Sequence, residues 1–231
     1  MFHGITLNTL VIQIFTLLFA VTLHEVAHGW VALHLGDPTA KHAGRLTLNP
    51  IRHLDPMGSV VLPLILVIFK APVVFGYAKP VPVNFNNLRD YRRDTVLVSL
   101  AGVTANLLLA FACGMAARVV LHLNFLWVNP ILRVFVLDLF LILSSSVVIN
   151  SVLAVFNLIP VPPLDGSRVL SVLLPPRYVL GFAYMERFGM LILLFLLFTG
   201  VLDVVISFFL DPALELFLGR EGLLTFFRYS R

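Results

Sequence analysis

The sequence predicts an all-α membrane protein: a polytopic helical bundle of about four to five spans, with a re-entrant segment and a short strand-like element. Three observations lead there. Of the 231 residues, 59% are hydrophobic and only 12% charged, whereas roughly a quarter of a soluble domain is charged, so lipid is the main solvent. Several apolar runs match the roughly 20 residues that a helix needs to cross hydrocarbon. Between them lie short connectors rich in Lys and Arg, the mark of cytoplasmic loops. The net charge of +4 belongs to those loops and gives no ground for nucleic-acid binding. The lone Cys113 excludes an intrachain disulfide and reads as a small packing residue. No internal repeat or low-complexity tract is visible, and no cleavable signal is expected, because residues 1–3 lack a basic start.

In chain order, residues 5–33 read as one long helix, apolar until His24. Residues 59–76 are apolar but carry Lys70, and Pro63 and Pro72 interrupt them. Residues 95–121 and 131–158 are clean spans, and 187–210 is another. Residues 211–231 mix charges with Leu and Phe and suit an interfacial helix. The expected organisation is therefore a membrane-embedded domain over 1–210 and an interfacial tail over 211–231. Lys41, Arg45 and Arg52 lie in one connector, and Lys79, Arg89, Arg92 and Arg93 in the next. Both are cytoplasmic by the positive-inside rule only if 59–76 enters the membrane and returns on the same side. The strand-like "GYAKPVPVNF" that follows fits such a dip, since irregular backbone at membrane depth must line protein or a watery cavity.

The stretch "VTLHEVAHGWVA" (21–32) breaks this apolar pattern. His24 and His28 are four apart, so on a helix they share a face, with Glu25 beside it. Two imidazoles at this spacing can hold one zinc ion, and the glutamate can act on a bound water without being a ligand. By ordinary residue frequencies, H-E-x-x-H arises by accident in well under ~1% of chains this long. An ionisable group at mid-membrane costs about 2.5–3.5 kcal/mol, so three together need a shared purpose.

A catalytic zinc takes three protein ligands and leaves a fourth position open. His34 is six residues past His28, on another side of the helix, and His42 and His53 lie in a polar connector. Asp138, inside the fourth apolar run, is one candidate. Asp165, in "NLIPVPPLDGSRVL", is another; there Pro160, Pro162 and Pro163 break the end of that run and let a carboxylate point at an ion rather than at lipid.

"HEVAHGWVA" followed by "NLIPVPPLDG" resembles the site-2 protease family of intramembrane zinc metalloproteases. The resemblance implies one zinc per chain held by His24, His28 and Asp165, with Glu25 as catalytic base. "SLAGVTANLLLA" is similar to the family's A-G-P-x-A-N element; Val103 stands where the family has proline, which bears on a local kink and not on the metal site. "LTLNPIRHLDPMGS" and "GYAKPVPVN" resemble the short branch that has no PDZ domain. For His24, His28 and Asp165 to meet, the helices that carry them must run parallel, which one intervening full span provides. Asn157, eight residues before Asp165, resembles the asparagine that precedes the family's aspartate motif. It could donate to the scissile carbonyl or to an oxyanion, or serve as a helix–helix hydrogen bond. His53 and Asp55 read as anchors of the connector, and Ser144, Ser145 and Ser146 as small-residue packing.

The resemblance implies a multi-pass protein of the cell membrane that hydrolyses peptide bonds of membrane-protein or peptide substrates. The competing class is a metal-ion transporter or channel, for which polar residues spread along several helices and inverted repeats would be expected.

Overall fold

The computed structural model describes residues 7–61, 64–65, 68–69, 76, 78–123 and 127–230. Every regular element among them is helical. They are α1 (Leu7–His34), α2 (Thr39–His42), α3 (Tyr91–His122), α4 (Pro130–Leu158), α5 (Asp165–Leu173), α6 (Pro176–Glu186), α7 (Gly189–Phe198) and α8 (Val201–Tyr229), with short 3-10 turns at Pro50–His53 and Phe85–Asn87 and a π turn at Pro56–Val61. Three helices are long and apolar enough to span a membrane: Leu7–His34, Tyr91–His122 and Leu132–Leu158. A fourth span results if α6 and α7, which meet at a bend of 71°, count as one.

The all-helical class predicted from the sequence therefore holds, with two differences. "GYAKPVPVNF" forms no strand among the described residues; Ala78–Asn84 is irregular, and Asn84 caps the Phe85–Asn87 turn. Prolines at 80 and 82 lack the N–H that a ladder requires. The run 187–210 is also not one helix. Gly200 takes a left-handed φ of 74°, ending α7 after 10 residues, about 15 Å, which is half the hydrocarbon thickness. The expected boundary at 210/211 falls inside α8, which continues through Pro212 and bends at Gly219.

Most of the expected re-entrant segment, 59–76, lies outside the described residues. Its flanks are informative nonetheless. The Lys79 N–H donates to the His53 carbonyl at 2.9 Å, and Arg45 Nη2 donates to the Lys79 carbonyl at 2.7 Å. Residues 45 and 53 thus lie against residue 79.

The chain forms two compact units. One comprises the described residues up to Ala20 together with Asn106–Val155 and Ile206 onward; the other comprises Val21–Ala105 and Phe156–Val205. The first has an apolar core of Ile12, Ala117, Phe140, Leu141, Val147, Leu214, Leu218 and Phe226. Ser144, Ser145 and Ser146 are buried within this unit, and the Cys113 thiol donates to Ser146 Oγ, so these small polar groups serve packing as expected. Asp138 also belongs here and accepts from Asn8 Nδ2 at 2.9 Å.

In the second unit the C-terminal part of α1, the N-terminal part of α3 and the last turn of α4 line one cavity. The end of α1 is fixed by a glycine: at Gly36, with φ 115°, the Asp37 and Gly36 N–H groups reach back to the Ala32 and Leu33 carbonyls. Beyond α4, residues 159–164 form a proline-rich turn, and Asp165 opens α5.

Candidate metal centre

Helix α1 places His24 and His28 one turn apart, and their rings meet edge to face with centroids 4.6 Å apart. Both are buried, at 6% and 8% exposure. Asp165 reaches them from the first turn of α5. The three facing atoms form a small triangle: His24 Nε2 to His28 Nε2 is 3.0 Å, His24 Nε2 to Asp165 Oδ2 is 3.1 Å, and His28 Nε2 to Asp165 Oδ2 is 3.2 Å. Zinc bonds of about 2.1 Å in a tetrahedron would put ligand atoms roughly 3.4 Å apart, so these three residues fit that ion.

Proton accounting points the same way. His28 Nδ1 lies 2.7 Å from the Val98 carbonyl. A carbonyl only accepts, so Nδ1 carries the proton, and in the neutral ring Nε2 offers a lone pair to the centre of the triangle. The Asp165 oxygen also offers lone pairs. Two acceptors thus converge with His24 Nε2 at hydrogen-bond distance, an arrangement that a cation satisfies.

Two glycines make the approach possible. A Cβ on Gly102 of α3 would lie 2.5 Å from both His24 Cε1 and His28 Nε2. A Cβ on Gly166 would lie 2.3 Å from the Leu158 carbonyl oxygen, so only glycine lets α5 start against the end of α4 with Asp165 turned to the histidines. Val98 and Gly102 are four apart on α3, so one face of that helix supplies both the carbonyl that orients His28 and the gap that admits the rings.

Glu25 lies beside the triangle. Its Oε2 accepts from the Val81 N–H at 2.7 Å, and Oε1 has no hydrogen-bond partner among the described residues. His24, Glu25, His28, Asn157, Asp165 and Arg168 line one cavity of about 360 Å³, walled by Pro80–Val83, Phe85 and Val98.

The structure thus brings together His24, Glu25, His28, Asp165 and Asn157 from the residues singled out in the sequence. It leaves the other candidates apart. Asp138 pairs with Asn8 in the other unit, His34 turns its Nδ1 to the Trp30 carbonyl, and His42 is exposed on α2. His53 is buried and donates to the Thr47 carbonyl, which fits its reading as an anchor. Sequence reasoning missed Val98 and Gly102 as parts of the site, and it singled out Val81 for holding substrate rather than for its N–H to Glu25. Gly102 lies inside "SLAGVTANLLLA", so that likeness offered a signal, whereas Val98 and Val81 act through backbone groups, to which side-chain patterns are blind.

Over 214 residues, covering 93% of this chain and 90% of the relative, the sequence is 40% identical to "Putative zinc metalloprotease YwhC" of Bacillus subtilis. Over 186 residues, 80% of the chain and 66% of the relative, it is 31% identical to "Putative zinc metalloprotease Rip2" of Mycolicibacterium smegmatis. The Rip2 of Mycobacterium tuberculosis is 32% identical over the same extent. No family model and no solved structure matches the chain. A triangle of two histidines and an aspartate suited to zinc, with a glutamate at its side, is what such a name calls for, and the chain belongs to the zinc metalloprotease family of YwhC.

Proposed function

We propose that this protein is an intramembrane zinc metalloprotease of the site-2 type. It hydrolyses peptide bonds of membrane-protein or peptide substrates at the cell membrane, with His24, His28 and Asp165 holding one zinc ion and Glu25 as the base. The observation that carries this reading is the shared cavity: the three candidate ligand atoms and the Glu25 carboxylate face one space inside a chain with three membrane-length apolar helices.

Zinc held there would supply Lewis acidity, polarising a carbonyl and lowering the pKa of water from about 15.7 to near 7. The remaining tasks fall to the chain's own residues. Val98 fixes the tautomer of His28. Glu25 takes the proton of the attacking water at its carboxylate and delivers it to the leaving amine. Asn157 lines the same cavity and offers a side-chain amide to the scissile carbonyl or to the oxygen that gains charge. A helical substrate must unwind first, because its carbonyls are committed to internal hydrogen bonds. Along 79–84, Pro80 and Pro82 carry no N–H, and the N–H groups of Lys79, Val81 and Asn84 go to His53, Glu25 and Asp37, which leaves Val83 as the donor for an extended substrate segment. The transporter alternative gains no second metal-ligand cluster among the described residues.

The purified full chain in detergent tests this. Glu25→Gln should keep one zinc per chain and lose on the order of 10²–10⁴ in cleavage of fluorescein-labelled casein. His24→Ala and Asp165→Ala should lose the metal itself. A Glu25→Gln protein that cleaves at the wild-type rate removes the base, and an Asp165→Ala protein with full zinc content removes the site.

A further inference from the structure

We propose that the main-chain N–H of Val81 is a positioning group for Glu25, and that a buried clamp of Asp37, Arg45 and His53 holds it there. This rests on the reading of Glu25 as the base.

Glu25 and Gly29 are four apart on α1 and share a face. Together they form a notch for Val81. The Val81 N–H donates to Glu25 Oε2 at 2.7 Å, while its side chain occupies the space at Gly29, where an added Cβ would lie 2.8 Å from Val81 Cγ1. Of residues 80–82 only Val81 carries an N–H, so the local chain has a single donor to place, and the carboxylate receives it. A glutamate has three side-chain torsions. One fixed hydrogen bond on Oε2 removes much of that freedom and leaves Oε1 as the oxygen available for proton transfer.

The segment around Val81 is tied at both ends, by the side chains of Arg45 and Asp37, which ordinarily sit in water, and by the His53 main chain. Arg45 donates to the Lys79 carbonyl at 2.7 Å, and the Lys79 N–H meets the His53 carbonyl at 2.9 Å. Beyond Val81, Asp37 accepts from the Asn84 N–H at 2.7 Å and from Asn87 Nδ2 at 2.8 Å. Asp37, Arg45 and His53 are 0%, 7% and 2% exposed. A buried carboxylate and a buried guanidinium are costly unless their hydrogen bonds are met. Besides the bonds from Thr39 to Asp37, those bonds go to the main chain of 79–84 and to Asn87, so they fix where the backbone runs.

Activity, metal content and amide exchange together test the proposal, using the full chain in detergent micelles with fluorescein-labelled casein as substrate. Val81→Pro removes the N–H; it should keep its zinc and its KM while kcat falls about 100-fold, as expected for a misplaced catalytic group. Val81→Ala keeps the N–H and should retain at least roughly tenfold more kcat than Val81→Pro. Arg45→Met should lower kcat more than KM, and Arg45→Lys, which restores a donor, should recover part of the loss. Independently of turnover, exchange of the Val81 amide, followed with 15N-valine, should quicken at least roughly tenfold in Glu25→Ala, as a hydrogen-bonded amide loses its acceptor. Equal kcat losses in Val81→Pro and Val81→Ala, no recovery in Arg45→Lys, or an unchanged Val81 exchange rate would overturn the proposal. Should Glu25→Gln cleave normally, the functional reading fails instead, and the exchange rate still judges the contact.

Discussion

At the scale of single residues, the site depends on what is missing from position 102 as much as on what stands at 24, 28 and 165. Gly102 leaves the space that both imidazoles fill, at 2.5 Å from where a methyl would be. Gly102→Ala must therefore push the rings or α3 aside. Its zinc affinity should fall on the order of 10–100-fold, the range seen when ligand orientation is disturbed, as measured by competition with a chelating dye. The histidines were legible because H-E-x-x-H has a geometric meaning on any helix. Gly102 lies inside the "SLAGVTANLLLA" likeness, but a gap has no geometric meaning of its own in one sequence, so its role in admitting the rings was not legible there. The choice between Asp138 and Asp165 was likewise open in the sequence, where both are carboxylates in or beside an apolar run. The structure separates them, giving Asp138 to Asn8 and Asp165 to the histidines.

At the scale of elements, the connectors carry more than topology. Arg45 reads in the sequence as one of several loop cations, yet it is buried and donates to the Lys79 carbonyl. Asp37, just past the end of α1, is fully buried and accepts from Thr39, Asn84 and Asn87. Burial pushes its carboxyl up, but these hydrogen bonds outweigh it and hold the carboxyl below its ordinary value. A folded-state pKa below the unfolded one contributes stability that is present above about pH 4 and lost as pH falls through the folded value. Asp37→Asn should therefore be less stable than wild type near neutrality, by about 1–3 kcal/mol. The gap should close as pH drops below about 4, as read from melting temperatures across a pH series. A gap that stays constant with pH would show that the charge of Asp37 contributes nothing.

At the scale of the whole molecule, the hydrogen bonds between 45–53 and 79 hold the starts of the two basic connectors together, and the topology expected from the sequence puts both on one side of the membrane. In a Cys113→Ala background, single cysteines at the exposed positions 41 and 89 should react with an impermeant maleimide from the same face; labelling from opposite faces would refute this topology. A metal that binds only the folded chain also stabilises it, by about 4 kcal/mol at a thousand times its dissociation constant. Chelation should thus lower the melting temperature of the wild type, and Asp165→Ala should melt at one temperature with or without zinc. The broken run after residue 187 shows where whole-chain patterning misleads: hydropathy counts apolar residues, but a left-handed Gly200 ends the helix among them.

By itself the sequence determined the helical membrane class, the paired imidazoles with their glutamate and the proline break that carries Asp165, because periodicity, composition and spacing act locally along the chain. The tertiary structure decided which carboxylate closes the triangle, which glycine makes room for it, and which backbone N–H holds the glutamate. Those are distances between segments far apart in the chain, and main-chain groups are the same for almost every residue, so no pattern of side chains could reveal them.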